Sequence, residues 1–438
     1  MTIERYLAYK DSGVEWLGEV PEHWDIKRIK EVGTIKYGLS QPPKYLEQGL
    51  PLIRATNIEK GKVVDKGLVF ISPNDVPYER NPVLNENDIL VVRSGAYTAD
   101  SAIIPKKYHG AIVGFDMVLR PYGVQPKYLS YTLLSNYVLN NQLILSSFRA
   151  AQPHLNKEEL GTALVTFPPL SEQKTIAHYL DTKTAQIDRK IDLLTQKSTL
   201  YSSLKQSLIN ETVTRGLDKT VSMKDSGIDA IDEVPEHWEV RRIKEIAYIN
   251  KRTLTEKTPN DYEFDYIDIG SITYGIKGFS SERMTFEDAP SRAKRIVKKG
   301  DTIISTVRTY LKAIASIEND VSDLIVSTGF AVISPKKLLF SKYFSYLLTS
   351  NFVVDTICAL SIGVSYPATN SSVIGNLLCL VPPPSEQKAI ADYLDTKTAQ
   401  IDQIIQIINT QIEKLKELRK TLINDVVTGK IKVVENEH

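Results

Sequence analysis

The chain is predicted to be α+β: two pseudo-symmetric α/β modules joined by two long antiparallel coiled-coil helices. Three observations predict this. First, the sequence is written twice. KDSGVEWLGEVPEHWDIKRIKE, beginning at Lys10, returns as KDSGIDAIDEVPEHWEVRRIKE at Lys224, and PPLSEQKTIAHYLDTKTAQID at Pro168 returns as PPPSEQKAIADYLDTKTAQID at Pro382, both 214 residues on. One offset shared by two well-separated matches means duplication of a whole unit, not a solenoid of short repeats. Second, apolar residues step by sevens after each Ser-Glu-Gln-Lys. Third, the stretches between the matched blocks are β-branched runs punctuated by Gly, Pro and Asp.

In chain order, residues 1–167 form the first module, 168–222 the first helix, 223–381 the second module and 382–438 the second helix. Within the first module, DILVVRSG (Asp88 to Gly95) and AIVGFDMVLRP (Ala111 to Pro121) read as strands, and PKYLSYTLLSNYVLNNQL from Pro126 has helical spacing. The second module repeats this with DTIISTVR from Asp301, LIVSTGFAVISP from Leu324 and SKYFSYLLTSNFVVDTI from Ser341. The helix blocks are identical at 18 of 21 positions, whereas residues 33–160 and 247–374 share only scattered pattern. One frame carrying two different surfaces suits interchangeable readers.

Ser171 and Ser385 stand where N-caps belong, with Glu172 and Glu386 facing the positive end of the helix dipole. The heptad stripe is Leu180, Ile187, Leu194, Tyr201 and Leu208 in the first helix. In the second it is Leu394, Ile401, Ile408, Leu415 and Leu422, with Ile390, Ile404, Ile412 and Leu418 between. Lys414, Lys416, Arg419 and Lys420 are expected in the last turns. So long and narrow a stripe needs a partner, and a head-to-tail duplication pairs the two helices antiparallel.

Composition excludes several classes. Lys and Arg number 54 against 53 Asp and Glu, so any polyanion must be met by local patches. No apolar run is long enough for a signal sequence or a membrane helix, and a cytoplasmic, membrane-free protein is expected. Cys358 and Cys379 have no metal or disulfide spacing and read as small apolar residues. No phosphate loop, dinucleotide fingerprint, nucleophile elbow or HExxH occurs. Asn81-Pro82-Val83 lacks the second proline and the aromatic of an amino-methyltransferase motif. His23 and His237 recur inside PEHW and read as structural, beside buried Trp24 and Trp238. The Glu-Gln-Lys triplets read as capping, not as nuclease chemistry. No catalytic residue, metal ligand or cofactor is assigned to this chain.

What remains is basic and aromatic residues on β-edge loops. In the first module these are Arg54, Asn57, Lys60 and Lys62, then Arg93, Ser94 and Tyr97, then Arg149, Gln152, His154 and Asn156. In the second they are Arg292, Lys294 and Arg295, then Arg308, Tyr310 and Lys312, then Ser365, Tyr366 and Asn370. Arg, Asn and Gln can read purine edges bidentately, while Lys and Ser hold phosphates. Two such modules on a rigid spacer suit duplex DNA.

The order of variable module, SEQK helix, variable module and SEQK helix, with Gly18-Glu19-Val20-Pro21-Glu22-His23-Trp24 at the start (Asp232 replaces the glycine in the second copy), resembles the specificity subunit of type I restriction-modification systems. The resemblance covers essentially the whole chain. It implies two target recognition domains reading the halves of an asymmetric bipartite site. It also implies docking of two modification subunits, through which restriction subunits join. Adenine N6 methylation would occur on both strands, with S-adenosylmethionine, ATP and magnesium bound by partner subunits. A stand-alone coiled-coil DNA-binding regulator or scaffold is the alternative.

Overall fold

The computed structural model describes residues 2–59, 61–80, 82–148, 153–272 and 278–434. Two compact units result: residues 1–194 with 410–438, and residues 195–409. The division falls inside both long helices.

In the first unit, an antiparallel sheet runs in the order Ser101–Ile103, Ile89–Val91, Met117–Pro121, Gly33–Tyr37. Side chains alternate between its faces. Ile89, Val91, Met117 and Leu119 enter the main core, whereas Leu90, Ala102 and Val118 enter a second cluster behind the sheet. Burial on both faces explains why these strands read as continuous apolar runs. The second unit repeats the plan. Its sheet order is Ala247–Ile249, Phe330–Pro335, Thr302–Ser305, Ile314–Ser316, with Ile304, Ala331 and Ile333 on one face and Ile303 and Val332 on the other. A second four-stranded sheet in this unit pairs Glu263–Ile267 with Leu324–Ser327 in parallel.

The long helices span Leu170–Arg215 and Pro384–Val427, 46 and 44 residues. Within each unit the segments of the two helices run antiparallel. In the first unit Asp188 meets Arg419 at 3.0 Å and Leu180 shares a core with Ile423 and Val427. In the second Lys205 meets Asp402 at 2.6 Å, and Leu394 packs with Ile209 and Val213. Ile401 and Ile408 are buried, and Ile187, Leu194, Tyr201, Leu208, Leu415 and Leu422 are partly buried. Leu180 and Leu394 serve the module cores as much as the helix pair.

Three expectations need correction. Leu418 is exposed and outside the apolar seam. The second helix runs to Val427, so Lys414, Lys416, Arg419 and Lys420 lie before its last turn, and Arg419 is spent on Asp188. Ser171 and Ser385 are not caps, because the helices already begin at Leu170 and Pro384.

The carboxylates that follow those serines do lie in the first turn, and they also act across elements. Glu172 accepts from Tyr6 Oη (3.0 Å) and Trp24 Nε1 (3.1 Å), and lies 2.6 Å from His23 Nε2. Glu386 does the same for Trp238 (3.1 Å) and His237 (2.9 Å). The neighbouring Gln173 accepts the Gln125 N–H and donates to the Pro168 carbonyl, both at 2.8 Å. Gln387 does likewise for Phe340 and Pro382, at 2.7 and 2.8 Å. Asp181 takes Lys127 and Tyr131 from the module helix, and Asp395 takes Lys342 and Tyr346. The invariant letters of the repeat are therefore bolts between a shared helix and each module.

The ends of the long helices close the units. Gly429 (φ +76°) sits against Pro21 and Trp24 in the first unit, and Gly216 (φ +73°) against Trp238 and Glu386 in the second. Left-handed backbone after a helix favours glycine, and here the Pro21 ring in one unit and the Glu386 carboxylate in the other, each backed by the tryptophan, crowd the place of a side chain. The Val427 carbonyl, orphaned at its helix end, is taken by Thr166 Oγ1 at 2.6 Å. Strand Thr2–Glu4 pairs antiparallel with Lys432–Val434, so the first and last described segments join the same unit.

Candidate nucleic-acid interface

In each unit the central strand of the sheet ends in a loop that carries an arginine. In the first, Val92 is buried and Arg93 emerges. The Arg93 backbone N–H donates to Asp116 Oδ1 at 3.1 Å, its carbonyl accepts from Leu155 N at 2.8 Å, and Ser94 bridges His154. The guanidinium lies 4.8 Å from the centre of the Tyr37 ring and donates from Nε to His154 Nε2 at 3.3 Å. Strand Gly33–Tyr37 supplies Tyr37, and the loop before helix Lys157–Thr162 supplies His154.

Asp116 is buried, and burial pushes its carboxyl above the usual range against the lowering effect of the Arg93 and Ala55 N–H groups. It ties the Arg93 loop to the turn that begins after Arg54. The Arg54 guanidinium lies 5.2 Å from the Tyr45 ring centre and donates to the Gly67 carbonyl at 2.7 Å.

The second unit builds the same loop pair with different letters. After strand Thr302–Ser305, Thr306 N donates to the Gly329 carbonyl (2.8 Å), Val307 bridges Ala368, and Arg308 adopts φ +49°. Its guanidinium lies 4.8 Å from the Tyr366 ring centre. A non-glycine residue in the left-handed region is strained, and such strain collects at functional loops. Lys312, at φ +51°, closes the turn and pairs with Asp355 at 2.9 Å. The Thr328 N–H donates to the Arg292 carbonyl, which brings Arg292 to this end of the sheet, where its guanidinium meets Asp268 at 2.7 Å.

The structure thus groups Arg93, Ser94 and His154 in one unit, and Arg308, Tyr366 and Ser365 in the other, with Tyr97 and Tyr310 about half exposed. Several expected contact residues have other work. Asn57 is fully buried, its amide holding the carbonyls of Val64 and Lys66 and its Oδ1 accepting the Arg54 N–H. Lys62 is paired with Asp188 of the long helix at 2.7 Å. Asn156 and Asn370 are N-caps, accepting from Glu159 N and Val373 N. Arg295 donates to Thr253 Oγ1, and Lys294 lies 4.4 Å from the Phe286 ring centre. Lys60, Arg149 and Gln152 lie outside the described residues, as does Asn81.

Sequence reasoning missed Tyr37, Tyr45, Asp116 and Asp268, the groups that orient the arginines. Their partners come from distant strands, and no local spacing announces them. Among the described residues, no cluster of His, Cys, Asp and Glu could hold a metal ion, and no helix is long and apolar enough to cross a membrane. Cys379 is buried, which pushes its thiol up to about 12.

The chain matches the family described as type I restriction modification DNA specificity domain over residues 21–199 and again over 235–417. The type I restriction enzyme MjaVIII specificity subunit of Methanocaldococcus jannaschii is 25% identical over 431 residues, covering 94% of each chain. The putative MjaX specificity subunit of the same organism is 26% identical over 430 residues, covering 95% of this chain and 96% of the relative. A solved chain from work on assembly and conformational transition of the type I R-M system superposes with a TM-score of 0.70 at 19% identity, covering 93% of this chain and 98% of that one. The HsdS subunit from Thermoanaerobacter tengcongensis superposes with a TM-score of 0.50 at 18% identity, covering 94% and 98%.

Proposed function

The chain belongs to the type I restriction modification DNA specificity domain family, and from that premise we propose how it reads its target. It is the DNA-recognition subunit of a type I restriction-modification complex. Each unit reads one half of an asymmetric bipartite site through the loop after its central strand. Arg93 and Arg308 are the base-reading side chains. Ser94, Tyr97, His154, Tyr310, Ser365 and Tyr366 surround them.

One observation carries this reading. Two modules whose sequences have diverged keep the same device: an arginine after a central strand, next to a residue backbone-bridged to the loop before the next helix, with its guanidinium 4.8 Å from a tyrosine ring centre. Stacking holds the planar guanidinium ready for a bidentate bond to guanine O6 and N7 and limits the rotamer freedom lost on binding.

Two modification subunits dock on the shared frame and methylate adenine N6 on both strands. Restriction subunits join through them. S-adenosylmethionine, ATP and magnesium sit on those partners, and the assembly works in the cytoplasm.

The test is co-purification with the cognate methyltransferase subunit, followed by mapping of N6-methyladenine on plasmid DNA. The reading expects methylation in two short tracts at a fixed gap, and exchange of residues 33–160 for another module should change one tract only. A stable complex that methylates without sequence preference would overturn it.

A further inference from the structure

The loop opposite Arg308 carries a feature that the arginine does not explain. Ile362 and Ala368 exchange both backbone hydrogen bonds at 2.9 Å, closing a small hairpin. Its turn begins at Gly363 (φ +119°), where a Cβ would come within 3.2 Å of the Tyr366 carbonyl. The hairpin is tied down by Thr309 Oγ1 to Ser361 Oγ (2.8 Å) and by the Thr369 N–H to the Thr306 carbonyl (2.8 Å). Yet two aliphatic side chains stand open on it, Ile362 at its closing pair (85% exposed) and Val364 in its turn (102% exposed).

Scattered exposed apolar residues need no explanation. Two aliphatic side chains held out on a braced ribbon beside a stacked arginine do. A two-stranded ribbon fits the major groove, where thymine alone presents a methyl group among hydrogen-bonding edges. The flanking Arg308 guanidinium favours a polyanion over an apolar protein groove.

Resting on the DNA-recognition reading above, we propose that the Ile362–Ala368 hairpin enters the major groove and that Ile362 and Val364 recognise the C5-methyl group of thymine. The half-site read by the second unit then contains at least one A·T pair distinguished by that methyl. Arg308 supplies the neighbouring hydrogen-bonded contact.

The experiment uses the complex assembled with its modification subunit. Exchange of residues 33–160 assigns one methylated tract to the first unit and leaves the other to the second. Each thymine of that second tract is replaced in turn by deoxyuridine, which lacks only the methyl. Binding should weaken about fourfold for each methyl that is contacted. The Ile362→Ala/Val364→Ala variant should lose a similar factor on thymine DNA and show no further loss on uracil DNA.

The proposal is overturned if uracil binds as well as thymine at every position of the tract, or if the variant weakens both DNAs equally, as a wedge between base steps would. A variant that fails to assemble with the modification subunit would identify the hairpin as a protein contact instead. Complete absence of two-tract methylation by the parent complex would sink the recognition reading itself.

Discussion

The indole Nε1 of Trp24 donates to Glu172 Oε2 over 3.1 Å, and Trp238 repeats the bond to Glu386 at the same length. The first copy adds a third donor, Tyr6, whose hydroxyl is held protonated by burial and by the Glu172 charge. Removing the acceptor leaves these donors partly buried and unpaired, and charge-assisted bonds are the costly ones to lose. Glu172→Ala should therefore cost about 2–3 kcal/mol and Glu386→Ala about 1–2 kcal/mol. Urea unfolding of both variants checks the ranking. Tyr6→Phe in the Glu172→Ala background should then have little further effect.

Gly429 offers a sterically cleaner test. Its positive φ opposes a side chain, and so does the Pro21 ring, whose Cδ lies 2.3 Å from where a Cβ would stand, with the Trp24 ring behind it at 3.2 Å. Gly429→Ala should destabilise by at least about 1–2 kcal/mol from the backbone alone. Gly13 has a similar φ of +72° but open space around it, so Gly13→Ala should pay only the backbone term. Equal losses in the two variants would mean that the contact with Pro21 and Trp24 contributes nothing.

Asp116 makes the first unit sensitive to pH. Its folded carboxyl is raised by burial, so it destabilises the fold when ionised. The sign follows: this group's contribution is fully favourable below its unfolded value of about 4 and is lost as pH rises through the higher folded value. Asp116→Asn removes the charge and leaves one acceptor oxygen for the Arg93 and Ala55 N–H groups. The stability of the variant relative to the parent should be most favourable at neutral pH and should fall as the pH falls toward 4, measured by urea unfolding across that range.

How much of this was legible in the letters differs by level. The duplication and the long helices were, because 3.6-residue periodicity and near-identity over 21 residues are local signals. The double-sided burial of Ile89–Val91 was legible as an apolar run. The partners of Glu172 were not: its place in the first turn could be read, but Tyr6, His23 and Trp24 lie about 150 residues away. The same blindness hid that Asn57 braces a turn and that Asn156 caps a helix. An asparagine that caps a helix or braces a turn cannot be told by sequence from one that reads adenine. The strand-end positions of Arg93 and Arg308 were legible, because each follows a β-branched run at a similar place in the repeat. Their stacking partners Tyr37 and Tyr366 come from different elements, which periodicity does not relate.

If those arginines read bases, they must fail separately. Arg93→Ala should relax one base pair of the tract assigned to the first unit by about 10- to 100-fold, and Arg308→Ala one base pair of the other. Arg93→Lys should not rescue, because an ammonium is a point charge that cannot form a bidentate bond. Salt dependence of binding should change little, in contrast to loss of a phosphate contact. Sequencing of methylated plasmid libraries reads all of this. Loss of both tracts by either single variant would point to a structural role.

The boundary between the compact units lies between Leu194 and Thr195 in one long helix and between Asn409 and Thr410 in the other. Seven residues inserted at both places would lengthen each helix by about 10.5 Å. A heptad keeps the apolar stripes in phase, so Ile191 and Ile412 on one side and Ile401 and Ile408 on the other can stay buried. At about 3.4 Å per base pair, the added length corresponds to about three base pairs. If the helices set the distance between the two reading loops, the paired insertion should yield methylated tracts separated by about three more base pairs, with both tract sequences unchanged. Insertion into one helix alone puts the two out of register and should abolish methylation. An unchanged gap in the paired variant would mean that the spacing of the target is set elsewhere.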